Sequence, residues 1–274
     1  MSAGKLFTRF HAARGEPNHN SPKHIILLHG WGMHSGVWAQ TIDLLTEQYD
    51  VTVVDLPGYA RSKNAVKNII DSHPAQDFDV VCEQLSEVTD QPALWLGWSL
   101  GGLFAMGVAL KSPALVEKLI MVASSPRFVS DKNWNAMQTD VFNDFSQQLQ
   151  ENYQLTLKRF MSLQTRNSEN SSAVLKLLRQ QWRDVETPAQ SVLESGLNIL
   201  QSIDMRDELN KLKCPLSFIY GQLDTLARPE LLNDMKDYGA AFNSVIIDKA
   251  AHAPFLSHPQ QFSAAVKESI ENHG

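Results

Sequence analysis

The stretch Leu94-Trp95-Leu96-Gly97-Trp98-Ser99-Leu100-Gly101-Gly102-Leu103-Phe104-Ala105 constrains this chain more than any other. An apolar run with large side chains ends at Gly97, a serine follows between flanking glycines, and the apolar residues from Leu103 to Leu110 suit a buried helix. Strand, sharp turn and helix in that order make Gly97-Trp98-Ser99-Leu100-Gly101 read as a nucleophile elbow. The turn strains the serine backbone, and a Cβ at Gly97 or Gly101 would strike the neighbouring strand and helix. The helix start behind Ser99 leaves N–H groups free, Leu100 N–H among them, to meet a developing oxyanion. A short pattern of this kind also fits a plain structural turn, so the rest of the chain has to decide.

With 274 residues, 43% hydrophobic and 20% charged, the chain can bury one large α/β core with room for an insertion. A net charge of −6 gives no whole-chain reason to expect nucleic acid. Cys82 and Cys214 lie far apart without metal-ligand spacing and read as buried free thiols, which fits a reducing compartment. The N-terminus lacks a continuous apolar stretch, and no segment approaches the ~20 apolar residues needed to span a bilayer. The expectation is a cytoplasmic protein, away from membranes.

Along the chain, residues 5–12 alternate weakly and fit an edge strand. Ile25-Ile26-Leu27-Leu28 is apolar throughout, as a strand covered on both faces should be, and ends in His29-Gly30-Trp31-Gly32. A helical stretch from Gly36 to Tyr49 precedes the strand Val51–Val54, which closes in Asp55-Leu56-Pro57-Gly58. Phe78 to Val88 carries an amphipathic stripe, the elbow follows, and Leu119–Ala123 is another buried strand. From about 130 to 202 the rhythm turns helical and rich in Gln, Asn and Ser, with helices expected over 134–150, 152–163, 171–184 and 189–202. Alternation returns with Leu216–Tyr220, then Ser244–Asp248, and a closing helix from His258. This pattern predicts a mostly parallel, doubly wound sheet: residues 1–129 and 203–274 form its core, and 130–202 form an inserted helical cap over the carboxyl ends of the strands.

A serine hydroxyl is a weak nucleophile and needs a base, and that base needs an orienting partner. Asp224 follows the strand Leu216–Tyr220 directly, and His252 follows Ser244–Asp248, in the order acid then histidine. Type, order and strand-end position together favour Ser99, Asp224 and His252 as a triad. Asp248 lies too close to His252 in sequence and reads as a surface carboxylate. His29 reads as a brace of its glycine loop and Asp55 as a turn anchor, while His34, His73 and His258 fit loops or helix starts. Trp31 N–H, in the glycine loop, is the natural second oxyanion donor beside Leu100 N–H. No metal-ligand spacing occurs, and no cofactor is expected.

With these residues in place, the chain resembles the α/β-hydrolase superfamily from about Lys23 onward. A closer resemblance is to the pimeloyl-acyl-carrier-protein methyl ester esterases of biotin synthesis. It rests on His29-Gly30-Trp31-Gly32-Met33, Trp95 to Gly102, Val122-Ala123-Ser124-Ser125-Pro126, Phe160-Met161-Ser162-Leu163-Gln164-Thr165 and Lys249 to Phe255. The resemblance implies a monomeric serine carboxylesterase whose partner is an acyl carrier protein bearing a pimeloyl methyl ester. Trp31, Ser99, Leu100, His252 and the segment Phe160, Met161, Ser162, Leu163 and Gln164 would bind the substrate. Between Lys158 and Arg183 stand Lys158, Arg159, Arg166, Lys176, Arg179 and Arg183 against Glu169 alone. Lys176, Arg179 and Arg183 fall on one helix face, a surface that would steer an acidic carrier, with Arg159 as a further contact. Leu155 stands where the resemblance implies another arginine. The alternatives are a general short-chain carboxylesterase, a carbon–carbon bond hydrolase of the same fold, or a binding protein on a hydrolase scaffold.

Overall fold

The computed structural model describes residues 4–15, 22–65, 73–183 and 185–272. Its elements run β1 (Thr8–His11), β2 (His24–Leu28), α1 (Ala39–Leu45), β3 (Asp50–Val54), α2 (Pro74–Ser86), β4 (Ala93–Trp98), α3 (Leu100–Lys111) and β5 (Val116–Val122). Then come α4 (Thr139–Glu151), α5 (Tyr153–Gln164), α6 (Ser171–Arg183) and α7 (Gln190–Ser202). The chain closes with β6 (Leu216–Gly221), α8 (Leu231–Lys236), β7 (Asn243–Ile247), α9 (Pro254–Ser257) and α10 (Pro259–Glu271).

The strands form one sheet in the order β1-β3-β2-β4-β5-β6-β7, parallel throughout except for β1, which runs antiparallel along β3. The apolar runs behave as strands covered on both faces must. Ile26 and Leu28 pack on one side with Trp95, Phe78 and Phe104, while Ile25 and Leu27 pack on the other with Trp38 and Phe262. The chain steps from β2 outward to β3, then returns to lay β4 on the other flank of β2. The sheet order therefore reverses between β2 and β4, where Leu28 pairs with Gly97. A crevice opens at the carboxyl ends of such a strand pair, and it is there that the glycine loop after β2 meets the Ser99 turn after β4.

Helices α4 to α7 lie between β5 and β6, and Ser195 Oγ of α7 donates to Asp77 Oδ2 of α2 at 2.9 Å, a bond buried at both ends. Several expected elements differ in extent. The helix expected over 134–150 begins only at Thr139, because residues 128–137 pair with one another (Ser130 N–H to Met137 O, 2.8 Å) and consume the bonds a helix would need. The helix expected from Gly36 opens as a 3₁₀ turn, Ser35–Trp38, before α1. The closing helix begins where expected, with His258 as the N-cap of α10, and the short α9 precedes it. Cys82 is buried and Cys214 only partly so, and both are unbridged.

Candidate active site

Ser99 stands at the head of α3 with φ 54° and ψ −120°, a region L-residues rarely occupy. The turn is held from outside: Ser99 N–H donates to Val122 O at 2.9 Å, and Ser124 Oγ–H to Ser99 O at 2.7 Å. Its glycines are demanded by contact. A Cβ on Gly101 would lie 2.5 Å from His29 O and 2.6 Å from Leu28 O, so α3 touches the end of β2 backbone to backbone.

The loop after β2 reaches the same point from the other side, for a Cβ on Gly30 would sit 3.2 Å from Ser99 Cβ. His29 braces it. Its Nε2 accepts Leu56 N–H at 2.9 Å, which leaves the proton on Nδ1 to donate to Gly30 O at 2.9 Å. Complete burial lowers the His29 pKa to about 4, and Asp55 and the Gly30 carbonyl only partly offset this. Gly30 O also accepts Met33 N–H at 3.2 Å. In a planar trans peptide, a carbonyl fixed this way turns the Trp31 N–H to the opposite side. The Trp31 indole donates to Leu193 O of α7 at 2.8 Å. Asp55 anchors the neighbouring turn, accepting Ser35 N–H at 2.8 Å and the Arg61 guanidinium at 2.7 Å. Burial alone would raise its pKa, but Arg61, His29 and Ser35 together hold the carboxyl below the usual range.

Beyond β6, Asp224 is buried and its carboxylate is fixed at both oxygens. Oδ1 accepts Leu226 N–H at 2.8 Å and Ala227 N–H at 3.1 Å, and Oδ2 accepts His252 Nδ1–H at 2.8 Å. The loops after β6 and β7 are stitched together by Leu223 N–H to Ala250 O at 2.8 Å, which brings residues distant in sequence into register. The His252 backbone is held in turn, since the Trp98 indole donates to His252 O at 2.8 Å.

Ser99 and His252 both line a narrow cavity of ≈ 80 Å³, and the remaining lining is almost wholly apolar. Trp31, Phe160 and Leu163 line it as well. The rest of the Phe160–Gln164 segment points elsewhere, because a helix turns away between positions 160 and 163. Met161 packs in the core cluster of Trp38 and Phe255. Ser162 lies on an outer groove. Gln164 is fully buried with neither amide atom partnered among the described residues. The Leu100 side chain is buried in the core, so only its backbone N–H faces the question of an oxyanion. The outer groove carries Arg159 and Arg166 and shares Val141, Phe145 and Leu163 with the cavity. Lys176, Arg179 and Arg183 are exposed along α6, and among the described residues none forms an ion pair.

Sequence reasoning missed the wall that α4 contributes. Phe142 and Phe145 line the cavity at helical spacing and look like ordinary core residues in the sequence. It also missed the Trp98 bond to His252, for which the doubled tryptophan at the elbow was the available signal. Among the described residues no group of three or more His, Cys, Asp or Glu is arranged to hold a metal ion, and no helix is long and apolar enough to cross a membrane.

A doubly wound sheet with a serine elbow at its switch point defines an α/β hydrolase, and a family model for the alpha/beta hydrolase fold matches residues 23–259. Among solved structures, an esterase from Exiguobacterium antarcticum superposes with a TM-score of 0.80 at 19% identity, covering 97% of this chain and 96% of that one, and so speaks for the fold alone. Among curated relatives, the pimeloyl-acyl-carrier-protein methyl ester esterase of Aliivibrio fischeri is 37% identical over 249 residues, 91% of this chain and 94% of that protein. The protein of the same description from Pectobacterium atrosepticum is 41% identical over 243 residues, 88% and 92% of the two chains. The chain belongs to the α/β-hydrolase family and, within it, to the pimeloyl-acyl-carrier-protein methyl ester esterases.

Proposed function

We propose that this protein is a serine carboxylesterase that hydrolyses the methyl ester of pimeloyl-acyl carrier protein, releasing methanol and the free distal carboxylate, in biotin synthesis. One observation carries the reading: Ser99 and an Asp224-paired His252 share the wall of a narrow apolar cavity, as a thin acyl chain with an ester at its end requires. Ser99 Oγ attacks the ester carbonyl and passes its proton to His252 Nε2, while Asp224 keeps the other imidazole proton on Nδ1. Negative charge gathers on the carbonyl oxygen, opposite the Trp31 and Leu100 N–H groups. Collapse expels methoxide, which takes the proton from His252 and leaves as methanol. Water then attacks the acyl-enzyme with His252 as base, regenerating Ser99 and releasing the carboxylate.

In this reading residues 130–202 act as the cap and the remainder as the hydrolase core. Phe160 and Leu163 line the acyl channel, and the carrier docks on the basic face formed by Arg159, Lys176, Arg179 and Arg183. The groove beside Arg159 and Arg166 admits the phosphopantetheine arm. Its continuity with the cavity through Phe145 and Leu163 gives a reason for cutting the distal ester and sparing the thioester, because the arm and chain together span the distance to Ser99 only with the far end in place. The protein acts as a monomer in the cytoplasm.

The test is hydrolysis of carrier-linked pimeloyl methyl ester beside a small free ester, with Ser99→Ala as control. The reading expects strong preference for the carrier-linked substrate and a Ser99→Ala loss of about 10⁴–10⁶ in kcat. Equal or faster turnover of the small ester would leave a general esterase instead.

A further inference from the structure

The turn that presents the Trp31 N–H is held at both ends, by His29 of the loop after β2 and by α6, while the Trp31 indole is tied to α7. At its start, His29 grips the Gly30 carbonyl. At its end, the grip comes from α6: the Trp182 indole N–H donates to Gly32 O at 3.1 Å. A second tie lies beside it. Gly36 N–H donates to His34 Nδ1 at 3.1 Å, which leaves the His34 proton on Nε2, and that nitrogen donates to Gln181 O at 3.1 Å. The turn's own closure is a single bond, Met33 N–H to Gly30 O, with Gly32 at φ 70° in the position where a type II turn takes glycine. One internal bond of 3.2 Å leaves the direction of the Trp31 peptide dependent on its external supports. Gln181 and Trp182 are in the last turn of α6, the helix whose exposed face carries Lys176, Arg179 and Arg183. The Trp182 ring is half-buried between the two core clusters.

We propose that Trp182 is a positioning residue for the oxyanion hole: its indole N–H pins the Gly32 carbonyl and couples the basic helix α6 to the turn that presents the Trp31 N–H. The inference rests on the role given to the Trp31 N–H under the proposed function. Trp182 touches no reacting atom in this scheme. It removes freedom from the peptide that does, and an oxyanion donor is effective in proportion to how little it must reorganise as charge develops. Helix α6 then serves twice, as part of the carrier's landing surface and as a support of the catalytic turn, so that a carrier seated on it bears on the hole as well as on binding.

Trp182→Phe keeps a large aromatic ring and deletes the N–H. Loss of a whole oxyanion donor costs about 10²–10³ in rate, and loosening one should cost less: kcat on p-nitrophenyl butyrate falls about 3- to 10-fold with KM within about twofold. Labelling of Ser99 by a small phosphonate, whose oxygen occupies the oxyanion position, slows by the same factor. A merely structural role would lower the melting temperature without separating kcat from KM. Unchanged kcat and unchanged labelling would overturn the proposal. So would a defect confined to the carrier-linked substrate, which would make Trp182 a docking residue only. Should Trp182→Phe fail to fold, His34→Ala, which cuts the neighbouring tie, carries the same expectation with the same outcomes. The small-ester readout is independent of the carrier: wild-type protein inert toward carrier-linked pimeloyl methyl ester would sink the proposed function and leave this inference standing.

Discussion

Around Ser99 and His252 the holding contacts end largely on backbone, whereas on the outward faces of α5 and α6, away from the Gly32 and Gln181 carbonyl bonds, the charged side chains meet other side chains or solvent. Asp224 is fixed by Leu226 and Ala227 N–H, His252 by the indole on its carbonyl, and the Ser99 turn by the Val122 carbonyl and the Ser124 hydroxyl. In the helical roof, Arg159 rests on the Gln148 side chain, Trp31 meets the Phe160 ring at 4.9 Å between centroids, and the α6 cations stand exposed. Backbone partners are present whatever the neighbouring side chain is, so the floor keeps its geometry through changes of sequence around it. Side-chain partners change with every substitution, so under the proposed function the roof is where selectivity would be set. Under the proposed function, the floor performs the reaction and the roof decides what arrives there.

The sharpest way to break this division is to disturb the floor without moving it. Asp224→Asn keeps an oxygen for the Leu226 and Ala227 N–H groups, but its amide N–H₂ faces His252 Nδ1. The imidazole proton is then driven to Nε2, which can no longer accept from Ser99. The expected result is a fall of about 10⁴ in kcat with little change in melting temperature, read by steady-state kinetics beside thermal unfolding. A matching collapse in stability would show that Asp224 serves the fold before the chemistry.

A second, smaller effect tests the supports of the floor. The His29 imidazole is held neutral by burial, with its pKa lowered to about 4. The unfolded chain takes up a proton as pH falls through 6.5, and the folded protein resists until about pH 4. Stability is therefore fully present above pH 6.5 and is lost as pH falls toward 4, by about 3 kcal/mol at the lower end. His29→Gln removes this titration. Urea unfolding at pH 7 and pH 4.5 should show a shallower loss in the variant than in wild type, and parallel losses would contradict the assignment.

The same division explains what could be read from the sequence. The elbow glycines, the glycine loop and the placement of Asp224 and His252 behind strands are backbone requirements, and backbone requirements leave fixed residue types at fixed spacing. The roof left weaker traces. Phe142 and Phe145 have the spacing of any core helix, and nothing local says that their apolar face covers a cavity. The contiguous segment Phe160 to Gln164 reads as one lining unit, but helical geometry sends Phe160 and Leu163 to the cavity and Met161 into the core. Helix α4 starts later than the periodicity predicts because the pairing of residues 128–137 depends on contacts that hydrophobic periodicity does not encode. The Trp182 indole bond to the Gly32 carbonyl is long-range and has no sequence signature, and the Trp98 bond to His252 O leaves only the doubled tryptophan at the elbow, which does not name its partner.

The smallest expected effect sharpens the comparison from the side of the roof. Arg179 and Arg183 are exposed, with no opposing carboxylate among the described residues, so replacing both by glutamate costs the fold little. If α6 steers an acidic carrier, Arg179→Glu with Arg183→Glu raises KM for carrier-linked pimeloyl methyl ester by about 10-fold, since each exposed contact across an interface is worth about 0.2–1 kcal/mol and reversal converts attraction into repulsion. The kcat on that substrate, and both constants on a small ester, should stay within about twofold, because neither residue reaches the cavity. Raising salt from about 0.05 to 0.3 M should narrow the gap between variant and wild type, as screening shortens the reach of surface charges to roughly 6 Å. A KM that ignores both the reversal and the salt would place the carrier elsewhere on the cap, and the arginines beside the groove, Arg159 and Arg166, would be the next pair to reverse.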